Sequence, residues 1–183
     1  GVERDPTVRY YVMGAVGEPG TPGNEWRSAA DWPPPARSTP LYLQPQERLA
    51  PNEPDSPDAV TTLVSDPRHP MQIPGRSFPG ARDARGFERQ AEVRTFTTAV
   101  LEEPVEWTGR VEVELFVSST ARDTDVIVRV SDVYPDGRSI LIVDYPWRMR
   151  YREGFRREVL MEPGRVYKVA FPVGWLSQVF NRG

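Results

Sequence analysis

Two runs of alternating residues, the second closed by a turn-forming tetrapeptide, constrain this chain more than any other feature. From Arg110 to Val117, Val111, Val113, Leu115 and Val117 alternate with Glu112, Glu114 and Phe116. That is the period-two pattern of a strand with one face in a core. Small and polar residues from Ser118 to Thr124 break the run. In the strand that follows, Val126, Val128 and Val130 face one way and Arg129 and Ser131 the other, and Ile127 implies that part of the second face is covered too. Tyr134-Pro135-Asp136-Gly137 then closes it as a hairpin. Proline presets φ at the first central position of a β-turn, aspartate tolerates the next, and glycine supplies the left-handed residue that starts the return strand.

A chain of 183 residues fits one domain able to bury roughly 70% of its unfolded surface. Its 20 prolines and 14 glycines imply many turns and long irregular connections, so helices should be few and short. A formal net charge of −3 gives no electrostatic case for nucleic acid or an anionic membrane, which both need a basic surplus. Lys168 is the only lysine; biased source-genome composition explains the arginine excess better than an arginine-specific function does. Absence of cysteine excludes disulfides, thiolate metal sites and a cysteine nucleophile without fixing the compartment. No apolar run approaches membrane-spanning length, and Gly1-Val2-Glu3 is not a signal peptide.

Along the chain, Thr7 to Met13 reads as a first strand ending at Gly14, and Gly17 to Gly23 as a loop. Twelve prolines between Asp31 and Gly80 leave room only for short strands such as Leu41 to Leu43 and Val60 to Val64. Loops this long inside a domain are usually functional or disordered. Regular pattern resumes at Val93 to Val100 and recurs at Ile140 to Tyr151 and Val166 to Phe171, while Pro172 to Phe180 suggests one helical turn. At least seven strand candidates with turns between them favour an all-β sandwich or jelly roll over a parallel α/β sheet.

Several segments, in matching order and spacing, resemble the C-terminal domain of the cocaine esterase, α-amino-acid ester hydrolase and X-prolyl dipeptidyl-peptidase family. They are Tyr11-Val12-Met13-Gly14, Asn24-Glu25-Trp26-Arg27 with Asp31-Trp32-Pro33, Thr97-Thr98 through Leu101 to Gly109, Leu115 to Gly137, and Arg148-Met149-Arg150-Tyr151-Arg152. The resemblance runs from Val8 to the last residue. It implies a jelly-roll β-sandwich over residues 1–183, packed on an α/β-hydrolase domain that precedes it in the chain. It also implies acyl transfer by a serine on a nucleophile elbow, with histidine and aspartate partners and an oxyanion hole. No Gly-x-Ser-x-Gly occurs in this sequence, so all three triad residues are expected upstream of Gly1 and no catalytic residue is assigned here. Two departures stand out. The chain stops at Phe180-Asn181-Arg182-Gly183, where the family continues through a His-Arg pair into a further strand, so truncation is expected, with an unpaired edge that leaves a homo-oligomer open. Between His69 and Glu88 the family's Gly-Gly and Asp-Gln-Arg features give way to Pro74-Gly75-Arg76 and Asp83-Ala84-Arg85-Gly86.

Of the candidate functional residues, Phe78 carries the one site assignment. The family's equivalent loop reaches over the hydrolase pocket and offers an aromatic side chain to the acyl group, where a ring adds apolar area and shape without reacting. His69, the only histidine, has the residue type of a general base, but sits between Arg68 and Pro70 on a loop. Asp123, Asp125 and Asp132 could be read as Ca²⁺ ligands; EF-hand spacing is absent, and loop capping by short carboxylates is preferred. Arg148, Arg150 and Arg152 alternate with apolar residues and are expected to pair with Glu112 and Glu114 across a sheet. Trp26, Trp32 and Trp107 suit either a sugar-binding platform or, better, an inter-domain cover. No cofactor and no metal is implied. The expected role is therefore accessory, as scaffold and pocket wall of a serine hydrolase acting on small esters or amides. The alternative is a free-standing β-sandwich module for carbohydrate or protein, separable by whether several hundred residues containing Gly-x-Ser-x-Gly precede Gly1.

Overall fold

The alternating run at Val111 belongs to a strand that starts earlier than its pattern, at Val105. The computed structural model describes residues 5–56, 58–71 and 82–183. Among the described residues the strands in chain order are β1 (Val8–Val12), β2 (Glu25–Ala29), β3 (Tyr42–Gln44), β4 (Arg48–Ala50), β5 (Val105–Val117), β6 (Asp125–Val133), β7 (Ser139–Arg148) and β8 (Tyr167–Phe180), with one α-helix, α1 (Arg85–Glu88).

Two long antiparallel ladders form the body of the domain. β5 pairs with β8 from Val105↔Phe180 to Val117↔Tyr167, and β6 with β7 from Asp125↔Arg148 to Val133↔Ser139. The β6–β7 hairpin closes as its tetrapeptide dictates: the Gly137 amide donates to Tyr134 O at 2.8 Å, the Tyr134 amide to Arg138 O at 2.8 Å, and Gly137 takes φ +83°. The ladders pack face to face. Val113, Leu115 and Val117 of β5 and Val169 and Phe171 of β8 meet Val126 and Val128 of β6 and Tyr145 and Trp147 of β7, around Met149 and Met161. Trp147 and Phe171 stack with centroids 5.0 Å apart and rings 1° from parallel. Each wholly buried side chain of this kind contributes about 1.5–3 kcal/mol through the apolar area withdrawn from water. The domain is an all-β sandwich.

The expected helical turn at Pro172 to Phe180 is strand instead. A bulge opposite Val111 and Glu112 accommodates Pro172, which cannot donate to a ladder, and Gly174, whose φ is +156°. Beyond the bulge, Leu176 to Phe180 are buried one after another. One edge of this stretch is β5; on the other, the Met13 amide donates to Ser177 O (2.9 Å) and the Val179 amide to Met13 O (2.8 Å). A strand covered on both faces loses the alternation that identifies it in sequence. Ile140 to Tyr151 also departs from expectation: β7 ends at Arg148 and Met149–Tyr151 is a 3₁₀ turn. Val60 to Val64 and Val93 to Val100 form no strand. Val60 and Val64 are 85% and 76% exposed, and in the second segment only Thr97 bridges, to Arg48 of β4.

β1 and β2 pair around a glycine loop. A Cβ on Gly14 would lie 2.6 Å from Pro22 O, so the two arms approach too closely for any side chain there. Asn24 clamps the loop, accepting from the Gly14 amide (3.1 Å) and donating to Ala15 O (3.0 Å).

Candidate functional site

The side chains singled out in the sequence do not gather in one place. Phe78 lies outside the described residues. His69 stands on the loop after Asp66, its Nδ1 3.2 Å from Asp66 Oδ2 and its side chain 81% exposed. Asp66 is shared with Arg68, whose guanidinium hydrogen bond is the main cause holding the carboxyl down at about 2. Buried hydroxyls are engaged elsewhere: Ser139 Oγ donates to Glu88 Oε1 at 2.6 Å, and Ser177 Oγ lies 2.8 Å from Thr108 Oγ1.

The arginine row pairs differently from the expectation. Arg148 holds Asp125 through two bonds of 2.8 and 2.9 Å, and Arg150 reaches Asp123 (2.5 Å) and Glu158 (3.1 Å). Arg152 points into the turn, donating to Met149 O and Val159 O. Glu114 pairs with Lys168 and Glu112 with Arg110. The reason is topological: the cross-strand neighbour of β5 is β8, so the glutamates of β5 never face β7. Asp123 also accepts from the Arg150 amide at 2.9 Å, which is loop capping. Among the described residues no three His, Asp or Glu side chains gather as metal ligands, and Asp132 sits at the other end of β6.

The tryptophans do not form one platform. Trp26 meets Tyr11 edge-on at 5.4 Å, with Arg9 over its ring, on one face of the β1–β2 pair. On the opposite face Trp32 lies between Tyr10 (5.3 Å) and Trp175 (6.0 Å). Trp107 packs on Phe180 at 4.9 Å. Neighbouring residues of a strand point to opposite faces, which is why Tyr10 and Tyr11 recruit different partners. Trp26 and Trp175 remain 60% and 51% exposed, large aromatic areas that a covering surface would desolvate.

A constellation missed in the sequence surrounds Asp132. This carboxylate is 6% exposed, and burial, reinforced by the like charge of Glu18, pushes it up to about 6. Gln178 Nε2 is 3.4 Å from Asp132 Oδ2. Tyr134 accepts from the Val16 amide at 2.6 Å, and Arg138 holds Glu18 at 2.9 Å. Ser177 and Gln178, two polar residues inside an otherwise apolar run, were the signal available in sequence.

Comparison with known proteins decides the family. The family model for the X-Pro dipeptidyl-peptidase C-terminal non-catalytic domain matches residues 1–183. This chain belongs to that family. It is 36% identical to the cocaine esterase of Rhodococcus sp. across 97% of its own length and 32% of the esterase's. It is 32% identical to a putative serine esterase of Mycobacterium bovis, over 83% of this chain and 24% of that protein. It thus spans about a third or less of these curated relatives. Among solved structures, an α-amino acid ester hydrolase superposes with a TM-score of 0.80 at 27% identity, covering 87% of this chain and 30% of that one. An aminopeptidase from a marine sediment Thaumarchaeota archaeon gives 0.77 at 27%, with the same coverage. The family's domain is non-catalytic, and the relatives of this chain are esterases and hydrolases.

Proposed function

We propose that this chain is the C-terminal accessory domain of a serine α/β-hydrolase acting on small esters or amides, docked on a catalytic domain that precedes it in the same polypeptide. The observation that carries this reading is the family match along the whole chain, joined to a relative named as an esterase at 36% identity. The sandwich supplies a rigid body, and the proline-rich segment from Asp31 to Gly80 supplies the loop that walls the substrate pocket, with Phe78 against the acyl group. Loops carry recognition because a rigid scaffold positions them while their sequence varies freely. The catalytic serine, histidine and aspartate belong to the preceding domain.

Fluorophosphonate labelling of the native preparation, followed by intact-mass measurement of every chain present, tests this. Label on a longer or co-purifying chain with none at 20.8 kDa is expected; label on the 20.8 kDa chain itself would show an activated serine within it and overturn the reading. In the full-length enzyme, Phe78→Ala is expected to lower kcat/KM about ten- to a hundredfold for bulky acyl groups and much less for small ones. An unchanged substrate profile would remove Phe78 from the pocket wall.

A further inference from the structure

The turn that closes the β6–β7 hairpin has a reactivity of its own. Asp136 is the only aspartate in the chain followed by glycine, and none of the three asparagines is. Glycine leaves the main-chain nitrogen unscreened by a Cβ, so the Gly137 nitrogen can approach the carboxyl carbon of the residue before it. The reaction needs only water. Gly137 N bonds to Asp136 Cγ, the C–OH bond of the protonated carboxyl breaks, and the hydroxyl leaves with the amide proton as water. Water then opens the cyclic imide. Attack at Cγ restores aspartate, whereas attack at the main-chain carbonyl gives isoaspartate, in which the backbone runs through Cβ and Cγ.

The Asp136 side chain is 55% exposed, yet both reacting groups are engaged in the folded turn. The carboxylate accepts from the Arg138 amide through Oδ1 (3.0 Å) and from Arg138 Nε through Oδ2 (2.6 Å). The amide that must lose its proton, that of Gly137, donates to Tyr134 O at 2.8 Å. Hydrogen bonds from the Arg138 amide and guanidinium also hold the carboxyl below its ordinary range, with Arg85 of α1 acting in the same sense, so the protonated form is scarce. Arg138 is fixed in turn. It pairs with Glu18 Oε1 (2.9 Å), donates to Val16 O (3.2 Å) and lies 4.6 Å over the Tyr134 ring.

We propose that Asp136–Gly137 is a site of spontaneous aspartate isomerisation, and that Arg138, anchored by Glu18, restrains it in the folded protein. Isoaspartate there lengthens the main chain within the turn and breaks the pairing of Gly137 with Tyr134 and of Tyr134 with Arg138 O. That pairing seats Tyr134 beside Ala15 and Ile140, so the product loosens the loop at Ala15 to Glu18 as well as the hairpin.

The test ages full-length protein at neutral pH in water enriched in heavy oxygen, then isolates the proteolytic peptide that contains Asp136. Passage through the imide leaves heavy oxygen in residue 136, and backbone fragmentation distinguishes isoaspartate from aspartate. Wild type is expected to convert at least about tenfold more slowly folded than in urea, because the reaction draws on the opened turn. Arg138→Gln, still melting cooperatively, should convert at least about tenfold faster than wild type, with Arg138→Lys between them, since lysine keeps the charge and loses the fork. Asp136→Glu, whose carboxyl lies one methylene further out, sets the background. If Arg138→Gln does not fold, the comparison of folded with urea-treated wild type and the Arg138→Lys variant decide. Equal rates for wild type folded and in urea, or folded Arg138 variants no faster than wild type, overturn the proposal.

Discussion

At the scale of single residues, buried and exposed carboxylates of this domain respond to pH in opposite senses. Asp132 has its folded pKa raised from 3.8 to about 6, chiefly by burial. Its stabilising contribution is therefore complete below about 3.8 and is lost as pH rises through about 6. Asp132→Asn removes that loss and is expected to be more stable than wild type at about pH 8, by roughly 1–3 kcal/mol, with no gain at about pH 4. Urea melts at the two pH values would show it; equal differences at both would mean that Asp132 is not held in its neutral form. Asp66, Asp83 and Asp125 are shifted the other way, through side-chain hydrogen bonds from Arg68, Arg85 and Arg148. Residue types alone say little about such differences, because Asp125 and Asp132 share a strand and differ only in what packs on them.

At the scale of elements, the two ladders depend on which face of each strand is covered. Phe171 is 3% exposed and stacked on Trp147, whereas Phe116, on the outer face of β5, is 70% exposed under Lys168. Phe171→Ala is expected to cost about 3–5 kcal/mol by opening a cavity between the layers. Phe116→Ala should stay within about 0.5 kcal/mol, as surface substitutions do. Denaturant midpoints of the two variants give the comparison, and similar losses would contradict the assigned faces. The same logic separates what was readable from what was not. Val111 to Val117 and Val126 to Val130 alternate because one face of each is wet, so their pattern survives in sequence. Pro172 to Phe180 reads as a helical turn in sequence, because its second half, Leu176 to Phe180, is covered on both faces and does not alternate. Ile127 was expected to mark a covered second face but is 45% exposed; the cover lies at Arg129, whose guanidinium sits 3.9 Å above the Phe87 ring of α1.

For the whole molecule, the opposed titrations combine into a stability maximum. The arginine-paired carboxylates contribute stability that is present above about pH 4 and lost as pH falls towards about 2, while Asp132 withdraws its own contribution as pH rises towards about 6. Stability should therefore peak between about pH 4 and 6. Asp132→Asn should flatten only the alkaline side; a profile rising monotonically to pH 8 would show that Asp132 does not govern that side. The acid side should be shallow, since the arginine pairs are exposed and screened by solvent.

Local and repetitive features are legible along the chain: the hairpin at Tyr134 to Gly137, the alternating strands, the all-β class and, through matched segments, the family. Those depend on neighbours a few residues apart, whose chemistry is written in order along the chain. Tertiary structure decided the rest. It set β5 beside β8 rather than β7, and left Arg148 at the end of β7 and Arg150 in the turn after it to Asp125 and Asp123. It threaded Met13 against β8, split the tryptophans between faces, and brought Gln178 to Asp132 across 46 positions. Such meetings arise from the packing of distant strands, and no local pattern records them.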